Sequence, residues 1–161
     1  MRIVFMGTPD FAVPSLEQLV LNGYEVVVYT QPDRVAGRGR ALAAPPVKIA
    51  ALDMGLSVVQ PESLKSVPAV EQLAGFRPEV IVVSAFGQIL PAAVLAIPAH
   101  GCLNIHPSLL PKFRGASPVA STILSGDEFA GVSVMLLDKG MDTGPVLARE
   151  QISILPQDTT G

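Results

Sequence analysis

Short apolar runs alternate with amphipathic stretches along most of this chain, and the alternation predicts its architecture. Arg2 to Met6 reads as a buried strand, followed by a Gly/Pro turn, a helix from about Phe11 to Leu21 stopped at Asn22-Gly23, and a second strand from Tyr24 to Thr30. A strand, a helix and a strand in thirty residues form a βαβ unit, and the right-handed crossover rule makes a parallel sheet the expected outcome. The pattern then predicts a helix over Val47 to Met54, a short strand over Leu56 to Val59 and a short helix over Pro68 to Ala74. Val80 to Ser84, a β-branched run, suits a central strand buried on both faces. Further on come a short helix near Pro91 to Leu95, a strand over His100 to Ile105 and a helix over Ser117 to Ser125. Gly131 to Leu137 and Val146 to Ile154 are expected to pair antiparallel at the later edge, so the sheet is mixed.

One stretch breaks the rhythm. Gln31 to Pro46, with Gly37, Gly39, Pro45 and Pro46, reads as a long irregular segment, and such a segment inside a small domain usually serves function. At 161 residues, 49% apolar and 16% charged, the chain is expected to form one domain with a real core. The termini modify that picture. Asp158-Thr159-Thr160-Gly161 supplies capping residues with no helix to cap, as in a domain that continues in a longer protein. The apolar run Ile3 to Met6 is too short for a signal peptide or a membrane span, so the reading is a cytoplasmic protein without a membrane partner. Cys102 is the single cysteine and reads as a buried small hydrophobe.

The formal charge of -3 argues against nucleic acid until its distribution is considered. Arg34, Arg38, Arg40 and Lys48 fall in a span with no acidic residue, and Lys112 with Arg114 makes a second basic pair. Gly7-Thr8-Pro9-Asp10 stands where a phosphate loop would follow the first strand. It lacks both the three-glycine spacing and the P-loop lysine, and reads as a tight strand-to-helix turn that could border a substrate site. Candidate chemistry lies later. Asn104 and His106 are two apart at a strand end, so extended geometry points both side chains one way. An amide donor beside an imidazole suits an oxygen that gains negative charge during acyl transfer, although taken alone Asn104 reads as a turn-former and His106 as an ordinary satisfied histidine. Asp142, in Gly140-Met141-Asp142-Thr143-Gly144, could orient His106 or take a proton from an amine, or serve as an Asx-type turn.

The ordered run Asn104 to Pro118, with Asp138 to Gly144 about thirty residues on, resembles the signature of the folate-dependent formyltransferases. The resemblance implies an α/β, Rossmann-like formyltransferase fold: a mostly parallel twisted sheet, helices on both faces, an antiparallel later edge. It implies Asn104, His106 and Asp142 as the catalytic set. The formyl donor, 10-formyltetrahydrofolate, would enter a pocket lined by backbone near Phe86, Gly87, Gln88, Ile89 and Leu90 and by the loop around Asp138 to Asp142. Ser108, Leu109, Leu110 and Pro111 match the folate-binding segment, and no metal is implied. Simple core packing is the competing reading of Ile89 and Leu90. Gly7-Thr8-Pro9-Asp10-Phe11, Gln31-Pro32-Asp33-Arg34 and the Gly37-Arg38-Gly39-Arg40 segment before Pro45-Pro46-Val47-Lys48 resemble the branch that formylates the methionyl amine of initiator tRNA. Arg34, Arg38 and Arg40 would then meet the tRNA acceptor end. Residues 1–161 would be a shortened catalytic domain lacking an OB-like C-terminal partner, acting as a monomer. The alternatives are a formyltransferase for glycinamide ribonucleotide or an amino sugar, and an inactive folate- or tRNA-binding fragment.

Overall fold

The computed structural model describes residues 1–36 and 41–160. Residues 1–102 and 103–161 form two compact units, each with its own strand ladder. In the first, β1 (Arg2–Gly7), β2 (Glu25–Tyr29), β5 (Ser57–Val59) and β6 (Val80–Ser84) run parallel in the order β5-β2-β1-β6. The register sets Met6 opposite Tyr29 and Gly7 opposite Ser84, so the carboxyl ends of three strands finish nearly level. Ligands of open α/β sheets collect at that edge.

The apolar runs explain the ladder. Ile3 to Met6 and all of β6 are buried, as expected of strands covered on both faces. The crossover helix α1 (Val13–Leu21) follows a single 3₁₀ turn at Asp10–Ala12, carries Pro14 in its first turn and buries Leu16. It stops where Gly23 takes φ +75, the left-handed conformation that a glycine adopts at little cost, while the Asn22 amide donates to the Gln18 carbonyl at 2.7 Å. α2 (Pro46–Asp53) and α3 (Val67–Gly75) bury Val47, Ala51 and Leu73, each large apolar side chain stabilising the unit by roughly 1.5–3 kcal/mol. Phe76, just past α3, meets the Tyr29 ring edge-on at 6.2 Å.

The stretch expected to be irregular is not entirely so. Arg34–Ala36 (β3) and Ala41–Ala43 (β4) pair antiparallel, with Arg34 opposite Ala43. Strands of only three residues give almost no alternating signal, and only cross-strand bonding reveals them. α4 (Ala92–Leu95) ends the helical content of this unit.

The second unit turns antiparallel. β7 (Cys102–His106) pairs with β8 (Phe129–Leu136), which pairs with β9 (Val146–Ser153). α5 (Pro118–Leu124) stands between β7 and β8 in sequence. The expected α/β class, parallel early and antiparallel late, is what this chain builds. Cys102 is buried as expected, and burial pushes its thiol up to about 12. Among the described residues no helix is long and apolar enough to cross a membrane.

Candidate active site

Asn104, His106 and Asp142 all lie in the second unit, and the structure brings them together. Asn104 and His106 share one face of β7, opposite Met135 and Ser133 of β8. Asn104 donates from Nδ2 to Asp142 Oδ1 at 3.3 Å, and His106 Nδ1 lies 3.8 Å from Asp142 Oδ2. The first is a hydrogen bond; the second is too long for one and is an ion pair only when the imidazole carries both protons. The histidine and aspartate side chains are only 5% and 12% exposed, so their interaction is screened far less than a surface pair would be.

Backbone groups complete the arrangement. Phe113, at φ +54, turns its carbonyl to within 2.9 Å of His106 Nε2. A carbonyl only accepts, so the Nε2 nitrogen carries the hydrogen in this contact, and Nδ1 is the nitrogen presented to Asp142. Gly115 donates its N–H to Asp142 Oδ2 at 2.9 Å. Its φ of +94 lies in the region that favours glycine, so the residue type itself helps deliver that donor. Asp142 takes φ +51, a conformation a short polar side chain tolerates, with Asn104 at Oδ1 and Gly115 and His106 at Oδ2.

The segment between strand and helix is tied down by buried hydroxyls. Ser133 donates to the Ser108 carbonyl at 2.7 Å and accepts from the Leu110 N–H at 3.0 Å, stapling the segment to β8. Ser108 in turn donates to the Lys112 carbonyl at 2.7 Å. The Leu110–Pro111 peptide is cis, and Leu110 is buried while Leu109 is half-buried and Pro111 exposed. Asp138 organises the second loop. One of its oxygens accepts from the Thr143 hydroxyl at 2.7 Å and the Gly140 N–H at 2.8 Å. The Thr143 hydroxyl foremost, then the Gly140 N–H, hold its carboxyl below the usual carboxylate range.

The remaining sequence candidates belong to the first unit. The Phe86 ring is buried in the core, and its carbonyl accepts from the Thr8 hydroxyl at 2.9 Å. Gln88 is occupied too, donating to the Pro61 carbonyl and accepting from the Leu64 N–H, both at 3.1 Å. Ile89 is 80% exposed, which excludes core packing for it, and Leu90 is half-buried. Gly87, at φ +86, follows Ala85 at φ +48. What this segment has left to offer a ligand is chiefly backbone.

Arg34 is exposed on β3 and donates to Gln31 Oε1 at 3.0 Å. Arg38 and Arg40 lie outside the described residues. Of the three further basic residues, Lys48 pairs with Asp33 at 2.6 Å and Lys112 with Asp127 at 2.7 Å. Sequence reasoning missed the Phe113 carbonyl and the Gly115 N–H. Gly115 could have been suspected from its residue type, whereas nothing about a phenylalanine announces a carbonyl aimed at an imidazole.

This geometry, an amide and an imidazole on one strand with a carboxylate bridging them, accompanies a match to the family model described as formyl transferase over residues 1–161. The chain belongs to the formyl transferase family. Among formyl transferases with curated names, a methionyl-tRNA formyltransferase from Dehalococcoides mccartyi is 60% identical over 161 residues, covering 99% of this chain and 52% of that protein. The chain thus spans about half the length of the curated relatives it matches. Among solved structures, a phosphoribosylglycinamide formyltransferase from Bacillus halodurans superposes with a TM-score of 0.81 at 23% identity, over 99% of this chain and 84% of that one. A sugar 3N-formyltransferase, solved in the presence of dTDP and 5-N-formyl-THF, superposes with a TM-score of 0.71 at 23% identity, over 99% of this chain and 54% of that one. At such identities the two structures establish the formyltransferase fold.

Proposed function

We propose that this chain is the catalytic portion of an enzyme that transfers a formyl group from 10-formyltetrahydrofolate to the amino group of methionyl-tRNA. The observation that carries the reading is the convergence of Asn104, His106 and Asp142 within hydrogen-bonding or close electrostatic range. The amine nitrogen attacks the formyl carbon, a C–N bond forms, and the carbonyl oxygen becomes an oxyanion. An amide nitrogen has two hydrogens and the bond to Asp142 uses one, so Asn104 keeps a donor for that oxygen, joined by His106 Nδ1 once the imidazole has taken up its second proton. As the intermediate collapses, the bond from carbon to folate N10 breaks. The proton lost by the amine, relayed through the His106–Asp142 pair, ends on N10.

The acceptor is proposed from the 60% identity to a named methionyl-tRNA formyltransferase and from the basic span that includes Arg34, Arg38 and Arg40. Phe86 to Leu90 are proposed folate contacts through their backbone. The same role is proposed for Ser108 to Pro111 and for Asp138 on the family resemblance. The working enzyme is proposed to be monomeric and cytoplasmic.

The test is release of tetrahydrofolate by the full-length protein with methionyl-tRNA, glycinamide ribonucleotide or an amino sugar nucleotide as acceptor. Turnover with methionyl-tRNA at least tenfold above the others in kcat/KM is the expected result. Preference for either small acceptor overturns the assignment, and folate or tRNA binding without turnover replaces it with a binding function.

A further inference from the structure

Gln31 lies two residues past the end of β2, and it is 8% exposed. Its Oε1 accepts from the Arg34 guanidinium at 3.0 Å. A guanidinium only donates, so this contact fixes which end of the amide is oxygen. Nε2 is therefore a donor, and it is buried with no hydrogen-bond partner among the described residues. The main chain here is held as well: the Gln31 backbone carbonyl accepts from Gln60 Nε2 at 2.8 Å. A Cβ at Gly87 would sit 3.8 Å from Gln31 Nε2, so glycine there keeps a side chain from covering the amide. A buried N–H without a partner is costly, and native structures keep such groups mainly where a ligand or water completes them.

The charge nearby specifies the ligand. Asp33, the adjacent carboxylate, does not neutralise Arg34, because Lys48 Nζ donates to both its oxygens at 2.7 and 2.6 Å and Gln60 Nε2 donates at 2.7 Å. Among the described residues Arg34 has no carboxylate within ion-pair distance. The result is an exposed cation joined to a neutral N–H donor with no acceptor supplied. A group made of acceptors and carrying negative charge, a carboxylate or a phosphate, satisfies both, and the proposed RNA substrate supplies the second.

We infer that Gln31 Nε2 and Arg34 form a two-donor seat for a backbone phosphate of the acceptor RNA strand, which makes Gln31 a substrate-binding residue. This rests on the proposed methionyl-tRNA reading and assigns it a contact that the basic residues alone do not provide. Gln31→Glu is the informative variant, since it keeps an acceptor for Arg34, deletes the Nε2 donor and repels a phosphate.

In the full-length enzyme Gln31→Glu is expected to raise KM for methionyl-tRNA about tenfold, the size of one charge-assisted hydrogen bond, and to leave KM for the formyl donor unchanged. Arg34→Met, on an exposed residue, should give a similar rise. The double variant should lose no more than the larger single one, because the two donors hold one phosphate. Additive losses, an unchanged tRNA KM in Gln31→Glu, or a shift confined to the formyl donor would overturn the inference. Inorganic phosphate serves as the second probe: competition that Gln31→Glu abolishes while its tRNA KM stays normal assigns the seat to free phosphate and overturns the RNA assignment. Should the wild-type enzyme prefer another amine, the functional reading fails by itself. Anisotropy of a labelled acceptor-stem RNA, weakened by Gln31→Glu, would still support the seat, and unchanged anisotropy would remove it.

Discussion

Asp33 and Asp142 are both half-buried carboxylates in loops that follow strands, and they are held in opposite ways. Asp33 is saturated by a permanent cation: Lys48 meets both oxygens and Gln60 adds an amide. Asp142 is met by neutral donors, the Asn104 amide and the Gly115 N–H, with an imidazole at 3.8 Å. A carboxylate locked to a lysine holds two pieces of chain together. One surrounded by neutral donors and an imidazole has a partner whose charge can change during a reaction. The difference separates a structural aspartate from a chemical one more sharply than burial or sequence position does.

The largest expected effect comes from removing the donors that Asp142 organises. In the full-length enzyme Asn104→Ala and His106→Ala should each lower kcat by roughly a hundredfold or more, the usual cost of losing an oxyanion donor. Single-turnover rates at saturating formyl donor are the measurement. Near-wild-type rates from folded variants would remove Asn104 and His106 from the chemistry and reduce their cluster to packing.

A smaller effect, but one aimed directly at the comparison, comes from matched substitutions. Asp142→Asn keeps an acceptor for Asn104 or Gly115 while deleting the charge beside His106, so kcat should fall by roughly tenfold to a hundredfold with little change in melting temperature. Asp33→Asn removes the charge that holds Lys48, so melting temperature should fall and kcat should suffer less than in Asp142→Asn. Reversal of the two profiles would show that the partners of a carboxylate do not distinguish its role here.

How much of this could be read beforehand follows from the kind of signal each feature leaves. β6 was legible because five consecutive buried residues leave an unbroken apolar run, and the antiparallel pairing of β8 with β9 was legible from two apolar runs and the turn residues between them. β3 and β4 were not, since three-residue strands are defined by their bonds to each other rather than by pattern. Asn104 and His106 could be put on one face by the period of two. Their junction with Asp142 depends on the fold of a loop nearly forty residues away, and its Phe113 and Gly115 contributions are backbone atoms that any residue possesses. Gln31 left no trace for the same reason: before Pro32 and Asp33 it reads as an ordinary loop residue, and only burial of an unpaired N–H singles it out.

The smallest effect tests the structural side of the comparison through pH. The Gln60 amide foremost, then Lys48, hold the Asp33 carboxyl below its ordinary value of 3.8, and Thr143 and Gly140 do the same for Asp138. A carboxyl whose folded-state pKa lies below its unfolded one contributes stability that is fully present above the unfolded pKa. It is lost as pH falls through the folded pKa, because the native state then takes up the proton it had excluded. The melting-temperature gap between wild type and Asp33→Asn, and between wild type and Asp138→Asn, should therefore be widest above about pH 5 and close as pH drops below the ordinary carboxylate range. A gap that stays constant or widens in acid would mean that these carboxylates owe their place to shape rather than to charge, and Asp33 would lose its standing as the ionic pin against which Asp142 is compared.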